Sequence, residues 1–315
     1  MILFLIPIFL LSIGCITTTF AASTNYVGPI INTHTQYDHK IEIDEVLRIV
    51  KEARISKIIL SGRGNRTNKD VIAAAKVYPN IIFPAARTKF NFYFNGGESW
   101  SSYLDSISHS KLVIGLQELL LYHAAKINSQ SIEIAPEIVV RAQDSRIARA
   151  ISIATLKGYP ITLHYEFRFL DERKRQQYFA DMEKLFRAHP DQTFTLMHMG
   201  QLDKLDIELL IKDHSNVYFQ LSMTANVHRG THYPWTFMFV EGGEIGQLQP
   251  QWKDLLERYP ERFLLAFDGV FTNLWRRDYV RDAQEWRVAL GTLTKQTADL
   301  ISHGNAERLW PIFHK

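Results

Sequence analysis

Short apolar runs alternate with amphipathic segments along this chain of 315 residues. The runs are rich in β-branched and aromatic residues and are apolar almost throughout, which is typical of parallel strands that are covered on both faces. The pattern predicts strands at Pro29–Thr33, Lys57–Ser61, Ile81–Ala86, Leu112–Leu116, Pro160–Leu163, Thr193–Met197, Val217–Leu221 and Arg262–Phe267.

Between these runs, apolar residues recur at helical spacing, often behind an Asp, Asn or Ser that can cap a helix. Several of these segments close with Pro or Gly a few residues before the next strand, so the connections are short. The pattern predicts helices at Asp44–Val50, Asn68–Tyr78, Ser99–Ser108, Ser145–Lys157, Asp171–His189, Leu202–His214, Gln251–Tyr259 and Asp282–Ile301.

Eight successive strand–helix pairs indicate an α/β fold, and we expect a single-domain (β/α)8 TIM barrel over residues 27–315. A doubly wound open sheet is the structural alternative. That fold would carry a Gly-rich phosphate turn after its first strand, and the segment Asn32–Thr35 is not such a turn. The barrel is therefore the better prediction.

Four of the predicted strands end in a residue that can bind a metal: His34, His164, His198 and Asp268. A single His at a strand end is more often a hydrogen-bonded core residue than a ligand. In a barrel, however, all these ends meet at the rim where catalysis takes place. Gln36, two residues after His34, would face the same side of an extended strand. The matching placement predicts a metal-assisted enzyme, because imidazole and carboxylate ligands can leave one zinc position open for water.

The N-terminal segment predicts export. Ile2–Ile16 is apolar or small apart from Pro7 and Ser12, which suits a secretory segment better than a membrane-spanning helix. We expect residues 1–22 to be a leader that is cleaved near Ala21 or Ala22, with the mature protein periplasmic or secreted. The alternative is a lipoprotein that is anchored to the membrane through Cys15.

Composition narrows the function classes. The chain is 46% hydrophobic and 22% charged, with a formal net charge of +3, as expected of one globular domain. It lacks the basic stripe with interleaved aromatic residues that marks a nucleic-acid binder. Cys15 is the single cysteine, so an intrachain disulfide and a multi-thiolate site are excluded. Ligands drawn from His, Asp, Glu and Gln suit zinc, manganese or iron.

The ordered set of strand-end motifs resembles the amidohydrolase superfamily. Within it, the chain is similar to the branch of amino-carboxymuconate-semialdehyde decarboxylase and its lactone-hydrolysing relatives. The resemblance covers Pro29 to Phe313. It is carried by five segments: Asn32–Gln36, Tyr159–His164, Thr195–Gly200, Arg262–Asp268 and Asn305–Leu309.

This resemblance implies one divalent metal ion, zinc first and manganese or iron as alternatives, held by His34, His164 and Asp268. Two residues depart from the family's Asp-x-His-x-His motif on strand one: Asn32 replaces the Asp and Gln36 the second His. Gln36 would be a weaker ligand, because an amide oxygen binds zinc more weakly than an imidazole does. These departures therefore predict either a site without metal or a preference for a harder cation. Glu118, after strand four, is either a compensating carboxylate ligand or an ordinary loop charge.

The resemblance also implies the catalytic roles. Asp268 would take a proton from a metal-activated water and pass it to the leaving group, and His198 would polarise the substrate carbonyl or bind the metal. From their positions at the predicted mouth, we expect Arg63 and Arg87 to bind an anionic substrate group. Glu166 would orient His164 or contact the substrate.

These observations predict a metal-dependent hydrolase of a small ester, lactone or amide. The first alternative is a metal-dependent carbon–carbon lyase, a decarboxylase or hydratase that acts on an unsaturated or aromatic acid. The second is a metal-free barrel that only binds a ligand. The expected partner is a small-molecule substrate, with no nucleic acid and with a membrane only through the lipid anchor; a homo-oligomer stays open.

Overall fold

A computed structural model describes residues 25–127, 132–230 and 233–314. The predicted leader, residues 1–22, and the alternative anchor at Cys15 lie outside the described residues. In the described part of the chain, no helix is both long and apolar enough to cross a membrane.

Parallel strands form a closed barrel. In chain order, the strands are β1 Ile31–Tyr37, β2 Lys57–Gly62, β3 Ile82–Pro84, β4 Ala86–Arg87, β5 Leu116–Leu120, β6 Tyr122–His123, β7 Lys126–Ile127, β8 Glu133–Ala135, β9 Ile138–Val139, β10 Ile161–His164, β11 Phe194–Leu196, β12 Val217–Gln220 and β13 Phe263–Leu264. The short strands β6 to β9 are not part of the barrel. One run of parallel pairs joins β1, β2 and β3, and another joins β4, β5, β10, β11, β12 and β13. β3 and β4 together form the third of eight strand positions.

Backbone hydrogen bonds close the two seams between these runs. Thr33 N donates to Leu265 O at 2.9 Å, which joins β1 to the segment after β13. Ala85 N donates to Leu60 O at 2.9 Å, which ties the link between β3 and β4 to β2. The barrel fold predicted from the sequence is therefore confirmed.

Helices surround the barrel. They are α1 Ile43–Glu52, α2 Asn68–Val77, α3 Asn91–Asn95, α4 Gly97–Ser108, α5 Ser145–Lys157, α6 Glu172–Ala188, α7 Lys204–Asp213, α8 Pro250–Arg258, α9 Thr272–Arg277, α10 Tyr279–Gly291, α11 Lys295–Asp299 and α12 Asn305–Leu309. Asp171 caps α6 by accepting from Lys174 N at 2.9 Å, and Asp203 caps α7 in the same way. Gly158 ends α5 in the left-handed region, with a φ of 65°, where glycine is favoured.

The core has two parts. Val46, Ile49 and Val50 of α1 are typical of the larger part, in which apolar helix faces pack against the outside of the barrel. The smaller part joins residues near the starts of strands to the C-terminal segment, where the rings of Phe83 and Phe313 meet edge to face at 4.6 Å. This packing seals the amino end of the barrel and leaves the carboxyl ends of the strands for the polar residues.

The fourth barrel strand differs most from its prediction. The sequence predicts it at Leu112–Leu116, but it runs from Leu116 to Leu120. The apolar residues Val113 and Ile114 precede the strand, whereas its polar pair Gln117 and Glu118 is buried. Glu118 therefore belongs to the strand itself and not to the loop after it.

Other boundaries differ by less. The last predicted helix is divided into α10 and α11, because the chain turns between Gly291 and Lys295. The segment after the fourth barrel strand contains antiparallel pairs, β6 with β9 and β7 with β8. The regular part of the last strand is only β13, although extended chain continues to Asp268.

Candidate active site

His34 and Gln36 of β1 lie inside the barrel rim and are almost fully buried. His34 Nε2 lies 3.1 Å from Asp268 Oδ1. Gln36 Nε2 lies 3.3 Å from Glu118 Oε1 and 3.4 Å from Asp268 Oδ1. Arg63 donates to Gln36 Oε1 at 3.4 Å. The amide of Gln36 therefore presents its nitrogen to the two carboxylates and its oxygen to an arginine.

Asn32 fixes the position of His34 and does not face these carboxylates. Its Oδ1 accepts from His34 N and from Phe267 N, each at 3.1 Å. Its Nδ2 donates to the Tyr279 hydroxyl at 2.7 Å. Asn32, one of the two residues that depart from the strand-one motif, thus joins β1 to the chain that follows β13.

Asp268 connects two imidazoles. Its Oδ1 faces His34, and its Oδ2 lies 3.6 Å from His198 Nε2. Its backbone has a φ of 40°, in the left-handed region, and its N–H donates to His34 O at 3.1 Å. Burial raises the pKa of Asp268, but the two imidazoles outweigh that effect and hold it below its ordinary value. Asp268 is therefore an ionised carboxylate at neutral pH.

His198 lies on a sharp turn directly after β11. His198, Met199 and Gln201 have positive φ values of 51°, 53° and 56°, an arrangement that costs non-glycine residues about 1–3 kcal/mol each. His198 Nδ1 lies 2.8 Å from Ser222 Oγ. Burial lowers the pKa of His198 to about 4, so the ring is neutral at pH 7.

The tautomer of His198 follows from its neighbours. Nε2 faces the Asp268 carboxylate at 3.6 Å, and Nδ1 faces the Ser222 carbonyl oxygen at 3.4 Å. The charged carboxylate is the stronger acceptor, so a hydrogen on Nε2 is favoured, and the Ser222 hydroxyl then donates to Nδ1 at 2.8 Å. His198 consequently offers an N–H donor on the Asp268 side of its ring.

Glu118 lies between this group and His164. Its Oε2 is 2.7 Å from His164 Nδ1, and its Oε1 forms an ion pair with Lys89. Burial raises the pKa of Glu118, but Lys89 and His164 outweigh it and hold the value well below the ordinary range. Glu118 is thus a charged bridge between the two halves of the site.

His164 belongs to a second group of potential ligands. Its Nε2 lies 3.3 Å from Glu166 Oε1, and its ring centroid lies 5.4 Å from that of His123. One potential ligand atom from each of His123, His164 and Glu166 can be chosen so that all three lie within 4.8 Å of one another. Within the described ranges, no group containing both His34 and His198 meets that spacing. The ring centroid of His164 also lies 5.4 Å from that of His198, so His164 adjoins two neighbouring groups, one with Asp268 and one with Glu166.

Glu166 is held by local contacts. It accepts from Ala124 N at 2.7 Å and pairs with Lys126 Nζ at 2.6 and 2.7 Å. Burial raises its pKa, but His164 and Lys126 outweigh burial and hold the pKa far below its usual range. In this arrangement Glu166 faces His164 and Lys126.

Arg63 and Arg87 line a cavity of about 990 Å³ that reaches Gln36. The Arg63 guanidinium lies 4.3 Å from the centre of the Phe271 ring. Arg87 instead donates to the carbonyls of Gly64 and Lys89, at 2.6 Å and at 3.1–3.2 Å. Arg63 is therefore better placed than Arg87 to meet a substrate.

The cavity is mainly cationic. Its ionisable side chains include one carboxylate, and the rest are basic or imidazole groups: Asp38, His39, Lys40, Arg63, Arg87, Lys89, Arg276 and Arg277. Two of the arginines are paired outside the cavity lining, Arg276 with Glu45 and Arg277 with Asp278. The remaining positive charge favours an anionic molecule.

Sequence reasoning missed Lys89, His123, Lys126 and Ser222. Lys89 and Lys126 follow strands in loops or short hairpins, where local periodicity carries no information about which carboxylate they will reach. Ser222 lies two residues after β12, at the rim position where the neighbouring strands carry His or Asp. That position is the one signal that could have identified it.

Comparison with known proteins gives a consistent picture of the fold. A sequence profile described as amidohydrolase matches residues 136–312, more than half of the chain. No curated protein matches the sequence significantly.

Three similar solved structures share the fold at low identity. An uncharacterised TIM-barrel protein from Bordetella bronchiseptica has a TM-score of 0.59 at 14% identity, covering 91% of this chain and 100% of its own. 2,6-Dihydroxybenzoate decarboxylase from Rhizobium scores 0.56 at 12% identity, with 90% and 99% covered. An amidohydrolase from Burkholderia multivorans with bound zinc scores 0.54 at 14% identity, with 90% and 99% covered. At these identities the likeness shows the fold alone.

Proposed function

The chain belongs to the amidohydrolase family, and on that premise we propose that it is a metal-dependent hydrolase of a small ester, lactone or amide. One observation carries the proposal. At the carboxyl ends of the strands, the buried carboxylate of Asp268 lies against the imidazoles of both His34 and His198. An ionised carboxylate next to a neutral imidazole donor suits proton transfer and carbonyl polarisation.

The donor atoms present fit a divalent cation. His34 Nδ1 and His164 Nε2 are buried ring nitrogens with no hydrogen-bond partner among the described residues, and carboxylates lie close to both rings. His34, His164 and Asp268 are the ligands that the sequence predicts, and His123 and Glu166 add donors next to His164. A bound divalent cation lowers the pKa of its water from 15.7 to about 7.

The chain's own residues then supply the proton transfers. Asp268 accepts a proton from the attacking water and returns it to the leaving oxygen or nitrogen as the acyl bond breaks. His198 donates its Nε2 hydrogen to the carbonyl oxygen, where negative charge develops. Ser222 keeps this hydrogen on Nε2 by donating to Nδ1.

The cavity supports an acidic substrate. Arg63 is partly buried, stacked on Phe271 and within reach of Gln36, so its guanidinium could pair with a carboxylate about one side chain away from the reacting carbonyl. We propose that the ester, lactone or amide carries such a group.

The same cationic cavity also favours the lyase alternative, a decarboxylase or hydratase of an unsaturated or aromatic acid. Here Arg63 would hold the acid, and Asp268 or His198 would deliver a proton to the carbon that loses carbon dioxide. A metal-free ligand-binding barrel is the third candidate, since the Gln36 amide already donates to both Glu118 and Asp268.

One substrate panel separates the three candidates. The full mature chain, supplied with zinc or manganese, is incubated with carboxylated lactones, esters and amides and with carboxylated aromatic acids, and products are identified by mass spectrometry. Ring opening or acyl cleavage supports the hydrolase. Loss of carbon dioxide or addition of water to a double bond supports the lyase. Binding of panel members without turnover supports the ligand-binding barrel and contradicts the hydrolase.

We also propose that the protein is exported. The support is the apolar run Ile2–Ile16 followed by small residues near Ala22. The intact mass of the mature protein tests this proposal: a chain that starts near residue 23 indicates secretion, and a lipid-modified Cys15 indicates a lipoprotein. A full-length chain in the cytoplasmic fraction would contradict both.

A further inference from the structure

His123, His164 and Glu166 bring potential ligand atoms within 4.8 Å of one another, and Lys126 pairs with the Glu166 carboxylate beside them. Glu118 Oε2 lies 2.7 Å from His164 Nδ1, which keeps a hydrogen on that nitrogen and leaves the lone pair on Nε2. His164 Nε2 and His123 Nδ1 are buried atoms that lack a hydrogen-bond partner in the described part of the chain. A lone pair 3.3 Å from the Glu166 carboxylate is unfavourable unless a cation or a proton lies between them.

We infer that His123, His164 and Glu166 form the metal centre of this chain, so that the cation lies on their side of Glu118 and not between His34 and Gln36. Two imidazoles and one carboxylate are a suitable ligand set for a catalytic divalent cation with a position left open. Glu118 would be the carboxylate that orients a ligating histidine from behind. The proposal that these three residues bind a metal is independent of the proposed function, whereas a role of that metal in catalysis rests on it.

Gln36 explains why the strand-one position is the poorer site. Its Nε2 is directed at Glu118 and Asp268, and Arg63 holds its Oε1. A cation bound there would meet the amide hydrogens first. It would need Gln36 to turn and give up the contact with Arg63.

His123 is suited to ligation. Its ring centroid lies 5.4 Å from that of His164, and its Nδ1 is buried without a hydrogen-bond partner among the described residues. It lies on β6, three residues after the end of β5, and the pairing of β6 with β9 fixes its backbone. The site therefore depends on the antiparallel insertion after the fourth barrel strand.

Lys126 is the competing cation. Its Nζ contacts both oxygens of Glu166 at 2.6 and 2.7 Å and lies 5.0 and 4.7 Å from the ring centres of Phe169 and Tyr233. A divalent ion that binds Glu166 must share or displace this ammonium group. Removal of the charge in Lys126→Met should therefore strengthen metal binding, whereas loss of any ligand should weaken it.

The test measures metal binding without reference to turnover. The full chain is stripped with chelator, dialysed and titrated with zinc chloride and with cobalt chloride, and the bound metal per chain and the visible cobalt spectrum are recorded. We expect one ion per wild-type chain and at least a tenfold loss of affinity in His123→Phe and in Glu166→Gln. Lys126→Met should bind severalfold more tightly. His34→Asn and the control His109→Phe, at an exposed histidine, should bind as the wild type does.

Other outcomes overturn the site. They are wild-type affinity in both His123→Phe and Glu166→Gln, loss of metal in His34→Asn with retention in His123→Phe, or no binding of zinc or cobalt by the wild type. In the last case a second ring proton on His164 fills the gap. Lys126→Met guards against a misleading result from misfolding, because it is expected to bind metal more tightly and a misfolded variant would bind it less tightly. If metal binds at this site but no panel substrate is turned over, the proposed function is contradicted and the metal site is supported. If a substrate is turned over and His123→Phe does not change metal binding, the metal site is contradicted and the proposed function is supported.

Discussion

Asp268→Asn is the substitution that bears most directly on the proposed chemistry. The amide has the shape of the carboxylate but cannot accept a proton from water. The left-handed backbone at this position, with a φ of 40°, is one that Asn tolerates better than most residues do. The variant should therefore fold, with its amide between His34 and His198, and lose activity for a chemical reason.

The magnitude follows from what the carboxylate does. A positioned general base contributes about 10²–10⁴-fold to the rate, which corresponds to about 3–5 kcal/mol at 1.36 kcal/mol per tenfold. Asp268 is 3% exposed and lies 3.1 and 3.6 Å from two ring nitrogens, so bulk water cannot readily replace it. We expect kcat to fall by at least a hundredfold, with KM changed by less than threefold.

The assay compares kcat and KM for a turned-over member of the substrate panel, with metal content and thermal melting measured on the same preparations. Asp181→Asn is the matched control, because Asp181 is a buried aspartate on the outer helix α6, where it pairs with Arg141. A variant Asp268→Asn that is folded, binds metal normally and keeps kcat within threefold of the wild type would refute the role of this carboxylate.

Three further predictions concern positioning, stability and pH. Ser222→Ala should lower kcat about tenfold at nearly constant KM, because His198 loses the donor that fixes its tautomer, and nitrogen NMR of the ring should show mixed tautomers. Arg262→Met should lower the free energy of unfolding by about 3 kcal/mol in denaturant titrations, since a buried guanidinium that bonds three backbone carbonyls is lost. Burial raises the pKa of Glu257, but hydroxyl and amide donors at the start of α11 hold it below its ordinary value. Its stabilisation is complete above the unfolded pKa near 4.3 and is lost as the pH falls through the lower folded value, so Glu257→Gln should flatten the decline of the melting temperature between about pH 5 and 3. An unchanged slope would contradict this.

The barrel could be predicted because its strands are buried on both faces. Such strands are continuous apolar runs, and these end where polar residues reach the rim. The fourth strand misled the prediction, because Val113 and Ile114 look like a strand whereas the buried Gln117 and Glu118 look like its end. A buried carboxylate in a strand requires partners from elsewhere in the chain. Here they are Lys89 and His164, which lie at sequence distances that local periodicity does not report.

The arrangement of the site into two groups could not be predicted from the sequence for the same reason. The motif spacing places His34, His164, His198 and Asp268 on one rim, but which ring faces which carboxylate depends on side chains from loops. His123 reaches His164 only because a short antiparallel pair follows the fourth strand. Arg87 has the position expected of a substrate ligand, yet its guanidinium is engaged by loop carbonyls.

Gln36 joins these observations into one electrostatic argument. Glu118 and Asp268 are both buried carboxylates, and the charge of Glu118 raises the pKa of Asp268. A neutral donor that reaches both carboxylates can keep both ionised when no cation lies between them. The amide nitrogen of Gln36 is such a donor, at 3.3 Å from Glu118 and 3.4 Å from Asp268. A histidine at this position would offer a lone pair that needs a metal, whereas glutamine offers hydrogens that replace one. The exchange in the strand-one motif is therefore what a barrel would need if its cation lay on the far side of Glu118, next to His123, and its proton-transfer groups stayed with Asp268.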